Sequence, residues 1–125
     1  MDLARHAEKI RADAILAITP YFWKPSKQSL YDYFVRVGTG VGIPLIAYNS
    51  PSYLAGVAFD GDLTRRLIER LPNLVGMKEA SFHSERFVEI ASAAHAMKPD
   101  FAMIAGVEFL LPSVPLGCVG SYSSA

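Results

Sequence analysis

The stretch that most narrows the fold of this chain is residues 72–81, PNLVGMKEAS. A continuous apolar run, residues 74–77, follows a proline and an asparagine and ends at the charged pair Lys78 and Glu79. A run that is apolar at successive positions, rather than at alternating ones, is typical of a strand buried on both faces. The stretch therefore predicts a strand of a parallel sheet, with Lys78 at its carboxyl end.

Similar apolar runs recur on both sides of this stretch, and each is followed by a polar segment compatible with a helix. The runs cover residues 14–18, 44–47, 101–105 and about 119–124. Helices are predicted over residues 2–10, 26–38, 60–71 and 107–114, and from residue 84 to just before Pro99, with N-caps at Ser26, Asp60 or Asp62, and Ser84. A strand–helix repeat of about thirty residues is that of a βαβ unit and predicts a parallel sheet.

An α/β chain of this kind is either an open doubly wound sheet or part of a (β/α)8 barrel. A complete barrel typically needs about 250 residues, and this sequence has 125. We therefore predict a partial (β/α)8 TIM barrel, containing about the last five parallel strands with their helices. Residues 1–125 are expected to form one incomplete barrel domain of a larger design.

Composition and charge exclude several classes of function. Hydrophobic residues make up 51% of the chain, and twelve basic residues balance twelve acidic ones. Binding to nucleic acid or to a membrane surface needs a concentrated positive field, so neither is expected. The N-terminus lacks the apolar core of a signal peptide, and no apolar run approaches the roughly 20 residues of a membrane-spanning helix. With a single cysteine, Cys118, the expected location is the cytoplasm.

Chemistry in parallel α/β folds gathers at the carboxyl ends of the strands. An amine held at the mouth of an apolar strand is partly removed from water and loses its proton more readily, as attack on a keto acid requires. Lys78 is in this position, although a strand-end lysine that extends to water or pairs with Glu79 is the plainer alternative. Tyr48 ends the preceding strand, so it is expected beside Lys78, either as a proton relay or as an amphipathic rim residue.

The other reactive residue types give weaker indications of function. The three histidines, His6, His83 and His95, lack metal-ligand spacing, so no metal site is expected. Cys118 has no base beside it and is expected to be a packing thiol. Residues 21–23, Tyr-Phe-Trp, form an aromatic cluster that is either a wall of a substrate site or a contact between subunits.

Taken together, these motifs resemble the dihydrodipicolinate synthase / N-acetylneuraminate lyase family of class I pyruvate-dependent aldolases and lyases. The matching stretches are residues 12–14 leading to 19–21, residues 48–51 (YNSP), residues 72–81 and residues 105–106. Their order and spacing agree with the family across nearly the whole chain.

The resemblance implies a fold, a chemistry and a set of site residues. Family members are (β/α)8 barrels, usually homotetramers, that bind pyruvate or a related 2-keto acid as a Schiff base without metal or organic cofactor. By resemblance, Lys78 is the imine-forming lysine and Tyr48 the acid/base tyrosine. Gly106 matches a glycine that lines the substrate pocket, and Tyr122 falls where a backbone carbonyl contacts the substrate.

Three departures from the family pattern shape the expected function. Dihydrodipicolinate synthases carry a carboxylate-binding arginine shortly after the YNxP motif, whereas residues 52–56 here read SYLAG, without a cation. Phe22 stands where synthases have a second tyrosine. The early strands of the family barrel, whose loops bind the pyruvate carboxylate, have no counterpart here.

The sequence therefore predicts a Schiff-base lyase acting on a 2-keto acid that is not a true dihydrodipicolinate synthase. Two alternatives stay open. One is a keto-deoxy sugar-acid dehydratase of the same superfamily, which residues 122–125 (YSSA) weakly resemble. The other is a non-catalytic barrel module that serves assembly or regulation.

Overall fold

The computed structural model describes residues 2–51, 58–106 and 110–122. Within them, helices and parallel strands alternate. The five helices are α1 (Asp2–Lys9), α2 (Lys27–Gly38), α3 (Gly61–Arg70), α4 (Ser84–His95) and α5 (Leu110–Ser113), the last continued by a 3-10 helix over Val114–Leu116. The five strands are β1 (Ile15–Ile18), β2 (Leu45–Asn49), β3 (Leu74–Glu79), β4 (Ala102–Gly106) and β5 (Gly120–Tyr122).

Local sequence explains where the two central helices begin and end. The side chains of Ser26 and Asp60 accept hydrogen bonds from the backbone N–H groups of Ser29 and Leu63, which are orphan donors in the first turns of α2 and α3. Helix α3 stops at Arg70, just before Pro72, because a proline inside the helix would remove a hydrogen bond and clash with the preceding turn. These two of the three predicted caps are confirmed, with Asp60 rather than Asp62 capping α3.

The strands lie in chain order, β1-β2-β3-β4-β5, and every described pair is parallel. A doubly wound sheet reverses its strand order at a switch point. With unbroken order and right-handed crossovers, successive helices fall on the same face of the sheet. This arrangement is that of a (β/α)8 barrel, so the predicted fold class is confirmed.

One face of the sheet is buried under the helices. Strand residues Ala47, Met77 and Met103 have no exposed surface and share a core with Phe34 and Ile90 from the helices. The opposite face carries Leu16, Ile46, Lys78 and Ile104, and Leu16 is 45% exposed. The candidate site lies on this second face.

Two sequence-based boundaries need correction. Ser84, expected as an N-cap, is the first residue of α4, and His83 takes the cap position without a side-chain hydrogen bond. The helix expected over residues 107–114 covers only Leu110–Ser113 in the described residues, since Val114 already belongs to the 3-10 helix and residues 107–109 lie outside them. No described helix has the length and apolar character needed to cross a membrane.

Candidate active site

Lys78 and Tyr48 lie side by side near the carboxyl edge of the sheet. They are register partners on the neighbouring strands β3 and β2, so their side chains leave the sheet on the same face. The Lys78 Nζ atom lies 4.1 Å from the centre of the Tyr48 ring, and Lys78 is only 7% exposed. The adjacency expected from the sequence is confirmed, while the chemical roles of the two residues stay predictions.

A second aromatic ring reaches the same amine. Lys78 Nζ lies 4.8 Å from the centre of the Tyr122 ring on β5, two strands away. Aromatic faces attract a cation through their quadrupole and take the place of water around it. Sequence reasoning assigned Tyr122 a backbone contact and missed its ring, because contact between non-adjacent strands requires a sheet curved toward this face.

The amine opens into a cavity of about 360 Å³ on the same face. Its walls are mainly apolar, formed by Leu16, Ile46, Ile104 and Val119 together with Lys78 and Tyr122. This volume is sufficient for a small organic acid. A largely apolar cavity with one amine suits a reaction in which that amine attacks a polar group of a bound molecule.

Gly106, the other predicted site residue, ends β4 and is the register partner of Tyr122. A Cβ atom placed on it would lie 2.3 Å from the Ala80 Cβ and 3.1 Å from the Ala80 Cα. Only glycine fits here without displacing the end of β3. Close packing against Ala80 thus explains why residue 106 is a glycine. The contact of Gly106 with substrate stays a prediction.

Behind the amine, on the helix-covered face, lies a buried polar pair that sequence reasoning did not assign to the site. Asn49 and Glu79 follow Tyr48 and Lys78 directly, are register partners, and have no exposed surface. Asn49 Nδ2 donates to Glu79 Oε1 over 2.8 Å. Because strand residues alternate between faces, Glu79 points away from Lys78, and the weighed alternative of a Lys78–Glu79 pair is wrong. The same alternation, applied to the sequence, could have revealed the Asn49–Glu79 pair.

Burial raises the pKa of the Glu79 carboxyl above its ordinary value. Hydrogen bonds from Ser81 and Asn49, with a smaller effect from the charge of His83, act in the opposite direction without cancelling it. Glu79 Oε2 has no hydrogen-bond partner among the described residues, which is consistent with the poor solvation of this carboxyl.

The remaining sequence-based candidates do not line the cavity beside the amine. Tyr21, Phe22 and Trp23 follow β1 and are exposed, with Tyr21 and Phe22 in ring contact. Cys118 is free and donates to the Gly120 backbone carbonyl. Across the described ranges, no three His, Cys, Asp or Glu side chains gather as a metal site. Residues 52–56, where synthases carry the arginine by resemblance, lie outside the described residues.

Comparison with known proteins places this geometry in a family. The model of the dihydrodipicolinate synthetase family matches residues 1–125. The 4-hydroxy-tetrahydrodipicolinate synthase of Wolinella succinogenes is 42% identical over 106 residues, which cover 85% of this chain and 34% of the relative. The synthase of the same name from Archaeoglobus fulgidus is 37% identical over 118 residues, covering 94% of this chain and 38% of the relative.

Solved structures agree with the sequence relatives. A prophage protein of the dihydrodipicolinic acid synthase family from E. coli K12, solved in complex with pyruvate, superposes with a TM-score of 0.90 at 29% identity, covering 98% of this chain and 41% of its own. The 4-hydroxy-tetrahydrodipicolinate synthase of Methylacidiphilum fumariolicum SolV gives a TM-score of 0.91 at 33% identity, covering 99% and 40%.

The chain thus spans about two fifths or less of the length of these relatives. Their names give no support to the expectation that this chain differs from a true synthase. Family-model match, sequence identity and superposition agree over nearly the whole chain. This chain belongs to the dihydrodipicolinate synthetase family.

Proposed function

We propose that this chain carries the imine-forming part of a Schiff-base lyase that acts on pyruvate or a related 2-keto acid, with Lys78 as nucleophile and Tyr48 as its proton-transfer partner. The observation that carries the proposal is the Lys78 amine, which lies 4.1 Å from the Tyr48 ring centre on a residue that is 7% exposed. Membership of the family supports it, since the family resemblance assigns these two residues the same roles.

The chemistry follows from a shielded amine beside a phenol. The neutral Lys78 amine adds to the keto carbon, and the resulting carbinolamine loses water to form an iminium on Nζ. The iminium withdraws electrons from the neighbouring carbon, so a C–H or C–C bond there can break while its electron pair moves toward nitrogen. Protons must reach the departing hydroxyl and leave the reacting groups, and the Tyr48 phenol is the side chain proposed to carry them.

Substrate contacts are proposed at the ends of the two following strands. Gly106 and Tyr122 are register partners at the carboxyl ends of β4 and β5, and the Tyr122 ring contacts the amine. A keto acid joined to Lys78 lies within the apolar cavity, and backbone N–H groups and hydroxyls are proposed to hold its carboxylate. No metal or organic cofactor enters the proposed reaction.

The larger assembly is also a proposal. We take residues 1–125 as one domain that forms part of a larger barrel, in a cytoplasmic protein that associates as a homotetramer. Exposed aromatic residues favour subunit interfaces, and Phe22 and Trp23 are 82% and 65% exposed. Free Cys118 agrees with a reducing compartment.

The experiment is incubation with pyruvate and borohydride, which reduces an imine to a stable amine adduct. Lys78→Arg keeps the charge but removes the nucleophile, and it should abolish the adduct. Tyr48→Phe keeps the ring against the amine but removes the phenol, so the adduct should form more slowly, by about 100-fold or more. No adduct on the wild-type chain would contradict the proposal for this chain and favour the non-catalytic module.

Product analysis then separates the members of the superfamily. Formation of 4-hydroxy-tetrahydrodipicolinate would place the protein with its named relatives, despite the SYLAG sequence of residues 52–56. Release of pyruvate from a longer keto acid would identify an aldol-cleaving lyase. Loss of water from a keto-deoxy sugar acid would identify the dehydratase.

A further inference from the structure

The buried pair Asn49–Glu79 stands directly behind the proposed reactive pair. Tyr48 and Lys78 are register partners on one face of the sheet, and the next residue of each strand forms a hydrogen bond on the opposite face. Both members of this second pair are fully buried, where a polar contact is shielded from water. This hydrogen bond joins the two strand ends directly behind the amine and the phenol.

The β2–β3 register shifts before it reaches the site. Leu45 is the register partner of Leu74, but Ile46 is the partner of Gly76, so β3 has one extra residue at this point. Without that bulge, Tyr48 would be opposite Met77 instead of Lys78. A shift of one residue moves a strand's side chains to the other face, so the register beyond the bulge decides whether the amine meets the phenol.

Three further hydrogen bonds tie the pair to the segments that follow both strands. The Phe59 N–H donates to Asn49 Oδ1 over 3.1 Å, just before helix α3 begins. The Ala80 N–H donates to the Asn49 carbonyl over 2.9 Å. The Ser81 N–H donates to Glu79 Oε1 over 3.0 Å, so this oxygen accepts two hydrogen bonds. The pair therefore joins both strand ends and their outgoing loops into one unit.

We propose that Asn49 and Glu79 are positioning residues, which select the β2–β3 register that holds the Lys78 amine against the Tyr48 ring. The geometric part of this inference stands by itself. Its catalytic part rests on the proposed function of Lys78 and Tyr48.

Two isosteric substitutions distinguish this positioning role from a general contribution to stability. Asn49→Asp keeps the shape but replaces the donor with an acceptor, so at a pH at which both carboxyls are ionised an oxygen faces Glu79 Oε1 and the contact becomes repulsive. Glu79→Gln keeps Oε1 as an acceptor for both hydrogen bonds and should preserve the contact. Leu67→Ala, in the core of α3, serves as a control that lowers stability without touching the strand ends.

The first measurement is NMR of the full chain with lysine labelled at the ε-carbon. The Tyr48 ring, 4.1 Å from Lys78 Nζ, and the Tyr122 ring, 4.8 Å away, both shift the resonances of the Lys78 ε-methylene protons through their ring currents. The part of the shift that Tyr48→Leu removes is the Tyr48 contribution, which reports the contact between the amine and this ring. We expect the Tyr48 contribution to the shift to be lost in Asn49→Asp and kept in Glu79→Gln and Leu67→Ala. A folded Asn49→Asp variant that keeps this contribution, or a Glu79→Gln variant that loses it equally, would overturn the inference. If Asn49→Asp does not fold, Asn49→Ala removes the donor without adding charge and is judged in the same way.

The second measurement is the rate of pyruvyl adduct formation at saturating borohydride. Misplacing a reacting group by about 1 Å can reduce a rate about 100-fold, so Asn49→Asp should lower the maximal rate by about this factor, with little change in the half-saturating pyruvate concentration. Leu67→Ala should leave both values unchanged at temperatures where it is folded. If the wild-type chain forms no adduct, the proposed function fails, and the positioning inference is decided by the NMR shift alone.

Discussion

Replacing Gly106 with alanine tests the packing of the strand ends that carry the site. The new Cβ would lie 2.3 Å from the Ala80 Cβ and 3.3 Å from the Glu79 carbonyl oxygen. Carbon atoms in contact prefer a separation of about 3.5 to 4.0 Å, so the ends of β3 and β4 must move apart by about 1 Å or more. The opposing atoms belong to a backbone segment and a short side chain, which cannot rotate away.

The magnitude follows from two opposing effects. Overpacking of a buried contact typically costs about 1–3 kcal/mol. Replacing a glycine also restricts the unfolded chain, which stabilises a protein by about 0.4–1 kcal/mol where the new side chain fits. We therefore expect Gly106→Ala to lower the free energy of unfolding by about 1–2 kcal/mol, measured by urea denaturation.

Two variants make this result specific. Gly120→Ala, in β5, is the matched control because a Cβ there has no atom within 4 Å, so it should be neutral or slightly stabilising. Adding Ala80→Gly to Gly106→Ala removes the nearest clashing atom and should recover part of the loss. The reasoning is refuted if Gly106→Ala is as stable as the wild type, or if Gly106 and Gly120 respond equally.

Two further changes test the electrostatics and the loop that leads into β2. Burial raises the pKa of Glu79, so the folded state holds this proton more tightly than the unfolded state does. The stability that this group contributes is therefore present below about pH 4.3, the ordinary pKa of a glutamate, and is lost as pH rises through the folded-state pKa. Glu79→Gln should therefore gain stability relative to the wild type as pH increases from about 4.3, and a difference in unfolding free energy that is flat with pH would contradict this. Asn73 Nδ2 donates to the carbonyls of Gly38, Val41 and Ile43 over 3.0, 3.2 and 3.1 Å, so Asn73→Ala should lose about 1–3 kcal/mol in urea denaturation. Asn73→Asp, which sets a carboxylate against the same carbonyls, should lose more, and equal stability of the two variants would show that the hydrogen bonds contribute little.

Strand positions were predictable from apolar runs, but strand ends were not. The runs at residues 44–47 and 74–77 stop before Tyr48 and Lys78, whereas β2 and β3 continue through Asn49 and Glu79. Polar residues interrupt a hydrophobic pattern, yet here they complete the hydrogen-bonded ladder and point alternately to the two faces. The pattern predicts Lys78 at the carboxyl end of the strand, and the structure continues β3 one residue further, to Glu79.

The candidate site was predictable where it depends on neighbouring strands alone. Carboxyl ends of adjacent parallel strands meet at one edge, which is enough to bring Tyr48 beside Lys78. The bulge between Leu45 and Ile46 in the β2–β3 register has no signature in the sequence, because it depends on how two distant segments align. The contact of the Tyr122 ring with Lys78 depends on sheet curvature, which is likewise a property of the assembled strands.

The most direct test of the account is the distribution of reduced pyruvate adducts over the five lysines of the chain, read by peptide mass spectrometry. Among the described residues, only the Lys78 amine contacts two tyrosine rings beside an apolar cavity, so we predict a saturable adduct confined to Lys78 and absent from Lys78→Arg. Adducts spread over the exposed Lys9, Lys24 and Lys27, with none at Lys78, would contradict it.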